Sequence, residues 1–134
     1  MKKKFWRFVA PCLILLALIT LCSVCSGKKP FRNLDTAEIV SASVWLSPPD
    51  ETVPIVNLNE LADYLHEIVI YQEDNIYIMY AGQGCVFTMT KTDGTRLQVM
   101  AYNPFVIIDG VGYKCKYEPC DALCRYANRL LHDA

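Results

Sequence analysis

The chain has 134 residues, 53% hydrophobic and 20% charged, with only 6 glycines and 7 prolines. That length holds one domain and not two, and the composition excludes wholesale disorder and collagen-like repeats. Four of the 13 basic residues (Lys2, Lys3, Lys4, Arg7) stand at the N-terminus, leaving nine against 14 acidic ones, a net of −5, so the electrostatic footprint of a nucleic-acid binder is missing.

Residues 1–26 follow the order of an export signal: basic residues, then an apolar stretch from Phe8 to Cys25, then small and polar residues. As a helix such a stretch would span about 27 Å, which is marginal for a bilayer core of about 30 Å. Three fates fit this segment: lipid attachment at Cys25 or Cys22 after cleavage, retention as an uncleaved anchor, or cleavage and release. Val24 and Leu21 precede the two cysteines, where a lipoprotein signal carries a small residue. All three fates put the remainder outside the cytoplasm, anchored to the cell membrane in the first two and secreted in the third. Basic residues flank both ends of the stretch, so orientation rests on the export-signal order rather than on charge bias.

Residues 27–37 read as a polar tether, and residues 38–134 as a single extracytoplasmic domain. From Glu38 to Leu46 the pattern alternates, with Val40, Ala42, Val44 and Leu46 on one face and Ile39, Ser41, Ser43 and Trp45 on the other. Ser47 to Glu51 is a turn by composition. Thr52–Val56 is a returning strand, placed at a sheet edge by Pro54. Asn57 is an N-cap with Glu60 in capping-box position, and Leu58, Leu61, Leu65 and Ile68 extend a helix toward Ile70. Residues 71–84 read as a loop carrying a short strand, in which Ile76, Ile78 and Tyr80 alternate with Tyr77 and Met79.

Four strands follow: Cys85–Thr90, Arg96–Tyr102, Phe105–Ile108 and Val111–Lys116. Asp93-Gly94, Asn103-Pro104 and Asp109-Gly110 separate them. Pro119 opens a final helix carrying Leu123, Ala127, Leu130 and Leu131. Hairpin-length connections between consecutive strands disfavour a parallel α/β sheet. The expected fold is α+β: a mainly antiparallel sheet with two helices on one face, preceded by the hydrophobic N-terminal helix.

Cysteine is the residue with most chemical promise. Outside the leader stand Cys85, Cys115, Cys120 and Cys124. An even number in an exported domain permits two disulfides, with three connectivities. Free cysteine is also among the most buried residue types, and Cys120 and Cys124 share a helical stripe with Ala127 and Leu131. Cys115–Cys120 and Cys115–Cys124 would be local staples, whereas Cys120 and Cys124 are poorly aimed at each other along a helix. Buried free thiols, a disulfide, and metal or redox use thus remain open. Zinc on Cys115, Cys120, Cys124 and His132 would lack the Cys-x-x-Cys knuckle, so no metal or other cofactor is expected.

His66-Glu67 begins a zinc-peptidase pattern, but Ile70 stands where the second histidine belongs. No nucleophile elbow or phosphate loop occurs, and Gly82-Gln83-Gly84 precedes no helix signal. The aromatic residues fit half-buried strands. Among them, Tyr71, Tyr77 and Tyr80 mark the 71–84 loop as the binding-loop candidate.

Several segments together carry a resemblance: Cys25-Ser26-Gly27-Lys28-Lys29-Pro30-Phe31-Arg32, Met100-Ala101-Tyr102-Asn103-Pro104-Phe105, Ile108-Asp109-Gly110-Val111-Gly112-Tyr113, Tyr117-Glu118-Pro119-Cys120 and Tyr126-Ala127-Asn128-Arg129-Leu130. With them nearly the whole chain resembles small exported, lipoprotein-like proteins of anaerobic Gram-positive gut bacteria. Similar segments stand beside membrane sensor peptidases of the beta-lactam-response type. The resemblance implies export and membrane anchoring and supplies no catalytic residues. The expectation is a membrane-anchored binding module for an envelope protein or small ligand. The alternatives are a thiol-dependent redox sensor or enzyme using Cys115, Cys120 or Cys124, and a structural envelope protein.

Overall fold

The computed structural model describes residues 27–79 and 84–134. The leader with Cys22 and Cys25, and Tyr80 of the candidate loop, lie outside the described residues. In chain order the elements are β1 (Ile39–Ser47), β2 (Glu51–Ile55), α1 (Leu58–His66), β3 (Ile70–Glu73), β4 (Gly84–Lys91), β5 (Arg96–Tyr102), β6 (Phe105–Ile108), β7 (Val111–Cys115) and α2 (Tyr117–Asp133). The strands form one antiparallel sheet in the order β2-β1-β4-β5-β6-β7-β3.

Local chemistry accounts for the connections. Asp109 and Gly110 both take positive φ (49° and 89°), the paired left-handed conformation whose twist suits a two-residue hairpin. At the β4–β5 turn Asp93 Oδ1 accepts from the Thr95 amide and hydroxyl, and Gly94 takes φ 85°. Asn57 Oδ1 accepts from the Glu60 amide at 3.1 Å and caps α1. Because β2 and β3 are opposite edges of the sheet, α1 carries the chain from one edge to the other. The second helix then runs back over β5, β4, β1 and β2 and packs on α1.

Both helices lie on one face of the sheet. Val44, Phe87 and Val99 form one buried cross-strand row there, and Leu46, Cys85, Ala101 and Val106 form the next. Leu61 and Leu65 of α1 and Leu123, Tyr126 and Ala127 of α2 close over them. Each large side chain fully buried in this way contributes roughly 1.5–3 kcal/mol over leaving it in water. Tyr126 is the aromatic centre, stacked on Tyr64 at 4.6 Å and on Phe87 at 6.2 Å between ring centroids. Arg129 lies over its ring and pairs with Glu60 of α1.

Several expectations are corrected. The alternation of β1 does not run through to its start: a bulge between Ile39 and Ser41 turns Ile39 into the core and leaves Val40 64% exposed. α1 stops at His66 rather than Ile70, because Ile70 pairs with Cys115 as the first residue of β3. The short strand of the 71–84 region is therefore Ile70–Glu73, and Ile76–Met79 forms a turn of 3-10 helix. α2 begins at Tyr117, which puts Pro119 in its first turn but not at its first position. Part of the expected tether docks on the domain. Lys28 bridges Ile70 through two main-chain hydrogen bonds, and Phe31 is buried in the core.

Candidate functional site

Two places in the fold bring the singled-out residues together. The first is the four-cysteine cluster on the helix-covered face. Cys85 of β4 stands opposite Ala101 of β5, and Cys124 Sγ lies 3.7 Å from the Ala101 carbonyl oxygen. One helical turn back, Cys120 Sγ lies 3.7 Å from the Phe105 carbonyl oxygen. Cys115, the last residue of β7, donates to Asn103 Oδ1 at 3.6 Å. The turn of the β5–β6 hairpin and its flanks thus gather the helix thiols and the strand thiols at one end of the sheet. All four are free thiols, three buried and Cys124 partly exposed.

Mutual hydrogen bonding sets their acidity. The order is Cys115, Cys120, Cys124, Cys85, each in contact with the next. Hydrogen bonds from Cys120 and Cys85 hold the Cys124 thiol down at about 4, well below the ordinary value of 9.0. A hydrogen bond from Cys120 likewise lowers Cys115. Cys120 and Cys85 are raised, first because they donate to these neighbours and then by burial. Among the described residues the thiols neighbour one another, the Asn103 side chain and the Ala101 and Phe105 carbonyls, a grouping suited to thiol–disulfide exchange.

The second place is the sheet face opposite α1 and α2. Thr52, Trp45, Val86, Met100, Ile107 and Gly112 are successive cross-strand neighbours across six strands there. At one end residues 74–79 fold over the row. The Tyr77 ring sits 6.4 Å from that of Phe105, and its hydroxyl donates to the Gly110 carbonyl. Asn75 Oδ1 accepts from the Gly112 amide, and Asp74 N–H donates to the Gly112 carbonyl. A Cβ at Gly112 would lie 2.5 Å from the Asp74 carbonyl oxygen, so glycine is required by this close approach. Tyr77 of the candidate loop therefore packs on the sheet, while Ile76 and Ile78 beside it face outward, Ile78 at 74% exposure. At the other end Trp45 is 39% exposed, its indole donating to Asp50 Oδ1 at 2.6 Å. Tyr71 stands on β3, partly exposed.

The chain matches no family model, no curated protein and no solved structure. Among the described residues no group of three or more His, Cys, Asp or Glu is arranged to hold a metal ion. His132 stands exposed in the last turn of α2, and His66 hydrogen-bonds through Nε2 to the Leu34 carbonyl at 2.9 Å. A shallow groove of about 450 Å³ between α1 and α2 is lined by Asp63, Glu67 and Glu118 with Tyr64 and Arg125. Arg125 is already paired with Asp121.

Sequence reasoning singled out all four cysteines but paired Cys115 with either helix thiol. The structure places Cys120 between Cys115 and Cys124, with Cys85 beyond Cys124, all four as free thiols. Trp45, Val86, Met100 and Ile107 were not joined into one surface, because the row exists only once the register of β1, β4, β5 and β6 is fixed. The signal available was the outward alternation of Trp45 and of Val86.

Proposed function

We propose that the protein is an extracytoplasmic binding module, held at the membrane by its N-terminal segment, that engages an envelope partner through the open face of its sheet. The observation that carries this reading is the apolar row Trp45–Val86–Met100 on the face opposite the two α-helices, with Trp45 39% exposed and Val86 and Met100 partly exposed, together with the outward side chains of Ile76 and Ile78. Exposed apolar surface of this kind, rimmed by polar residues, marks an interaction site. Polar positions rim it here: Ser43, Thr88 and Gln98 form the neighbouring row. The leader's order of basic, apolar and small residues supports export, and so does the likeness to small exported lipoprotein-like proteins. The charge of the part beyond the leader supports a partner other than nucleic acid.

A photo-crosslinking side chain at Ile78 tests this in cells that make the protein. It should give one dominant adduct, competed by excess unlabelled protein and lost when Trp45→Ala is added. The same probe at Thr92, in the β4–β5 turn, should give none. Equal labelling from both positions, or no saturable adduct from Ile78, would overturn the reading. Ile78→Ala should leave stability within about 0.5 kcal/mol, as expected for an exposed side chain, so that lost labelling cannot be put down to unfolding.

A further inference from the structure

We infer that the four-cysteine cluster is an oxidation site that closes into two disulfides, Cys85–Cys124 and Cys115–Cys120, through exchange with a disulfide oxidant. The pairing follows from placement. Cys85 and Cys124 meet at Ala101, the first as its cross-strand neighbour and the second through its carbonyl. Cys115 and Cys120 meet over the Asn103–Phe105 turn, one bonded to the Asn103 side chain and the other to the Phe105 carbonyl. The third adjacent couple, Cys120 and Cys124, lies four residues apart within α2, where the side chains run side by side instead of toward each other. Pairing Cys85 with Cys115 would pull together strands β4 and β7, which are separated by β5 and β6.

Each couple also holds one acidic thiol and one that keeps its proton: Cys124 and Cys115 are lowered, Cys85 and Cys120 raised. That is the division of labour thiol–disulfide exchange needs. The Cys124 thiolate attacks one sulfur of the oxidant disulfide. A mixed disulfide forms, and the oxidant's other half leaves as a thiolate. Cys85 gives its proton to that leaving thiolate, attacks the Cys124 sulfur and expels the second half. Two electrons and the Cys85 proton pass from the protein pair to the oxidant, whose halves leave as one thiol and one thiolate; the thiolate takes from solvent the proton that Cys124 released on ionising. Cys115 and Cys120 repeat the step with a second oxidant molecule. Cys124 is the partly exposed member and the natural point of entry.

The test treats the reduced, folded full-length chain with oxidised glutathione, followed by alkylation without reduction. Digestion with trypsin and an Asp-directed protease separates Cys120 from Cys124 at Asp121. Free thiols among Cys85, Cys115, Cys120 and Cys124 should fall from four to none, with Cys85–Cys124 and Cys115–Cys120 as the linked peptides. Cys85→Ser should trap Cys124 as its mixed disulfide with glutathione while Cys115–Cys120 still forms, and Cys115→Ser should leave Cys120 unlinked while Cys85–Cys124 still forms. Should either variant fail to fold, mapping of the unaltered chain decides alone. Four thiols still alkylatable after oxidant treatment, or linkage through Cys120–Cys124 or Cys85–Cys115, would overturn the inference.

Discussion

Tyr126 shows how a single residue is both well and badly served by its surroundings. Its ring is held by Tyr64, Phe87 and Arg129, yet its hydroxyl is buried with no hydrogen-bond partner among the described residues. Burial pushes the phenol up to about 12, the Glu60 carboxylate adding to the effect. A desolvated hydroxyl without a partner costs about 1–3 kcal/mol, so Tyr126→Phe should be neutral or raise stability by about 1 kcal/mol in urea unfolding. Tyr126→Ala, which removes the ring, should cost about 3–5 kcal/mol.

The thiols make the second prediction at this scale. Cys124 has a folded-state value lowered to about 4 from 9.0, so in the reduced protein its contribution to stability is fully present above 9 and is lost as pH falls toward 4. Cys115 acts in the same direction. Cys85 and Cys120 act oppositely: their folded values are raised, so their contribution is intact below 9 and declines above it. Under reducing conditions the thiols should favour folding most near pH 9. Urea midpoints should rise between about pH 6 and 8, and Cys124→Ser should flatten that rise. In the same range the reduced chain should alkylate at Cys124 first.

At the scale of elements, what could be read in advance depended on whether a signal was local. The Asn57 cap, the Asp109-Gly110 hairpin and the alternation of β4 and β5 are each written within a few residues, and each element formed where expected. The bulge at Ile39–Ser41 was not legible, because it depends on how β1 meets β4, some fifty positions away. The end of α1 was missed for a similar reason. Ile68 and Ile70 continue the helical spacing, but Ile70 is claimed by β7 and by Lys28, a competition between tertiary pairing and local periodicity. The candidate site was half legible. Residue type picked out the cysteines, whereas their pairing and the open-face row required the sheet order.

The 74–79 segment is the element that most directly shapes the open face, and Gly112 is what lets it approach. Gly112→Ala should force the Asp74 main chain away and release Tyr77 from the sheet, at a cost of about 1–3 kcal/mol by analogy with overpacking. Faster amide exchange at Gly112 and Asp74, whose amides bond Asn75 Oδ1 and the Gly112 carbonyl, is the accompanying readout. Unchanged stability and exchange would mean that the segment does not depend on this contact.

For the molecule as a whole, the two sheet edges differ. The β3 edge is bridged at Ile70 by Lys28 and tied by the Lys29–Glu67 pair. The β2 edge carries Pro54, which cannot donate to a further strand, and Glu51. Lys28 and Pro54 each interrupt one edge, in keeping with the open face as the proposed partner surface. If Cys85–Cys124 forms, it closes a loop of 39 residues between β4 and α2, worth about 4 kcal/mol in the chain-entropy account. A domain stapled in that way is suited to life outside the reducing cytoplasm. Among the described residues no helix is long and apolar enough to cross a membrane.

The central claim, an extracytoplasmic module held at the membrane by its N-terminal segment, is tested most directly by the intact mass of the protein recovered from fractionated cells. The expected result is recovery in the membrane fraction. Its mass should be either that of the whole chain or that of a chain beginning at Cys22 or Cys25 with a diacylglycerol adduct. Recovery of the whole, unmodified chain in the cytoplasmic fraction would contradict the account.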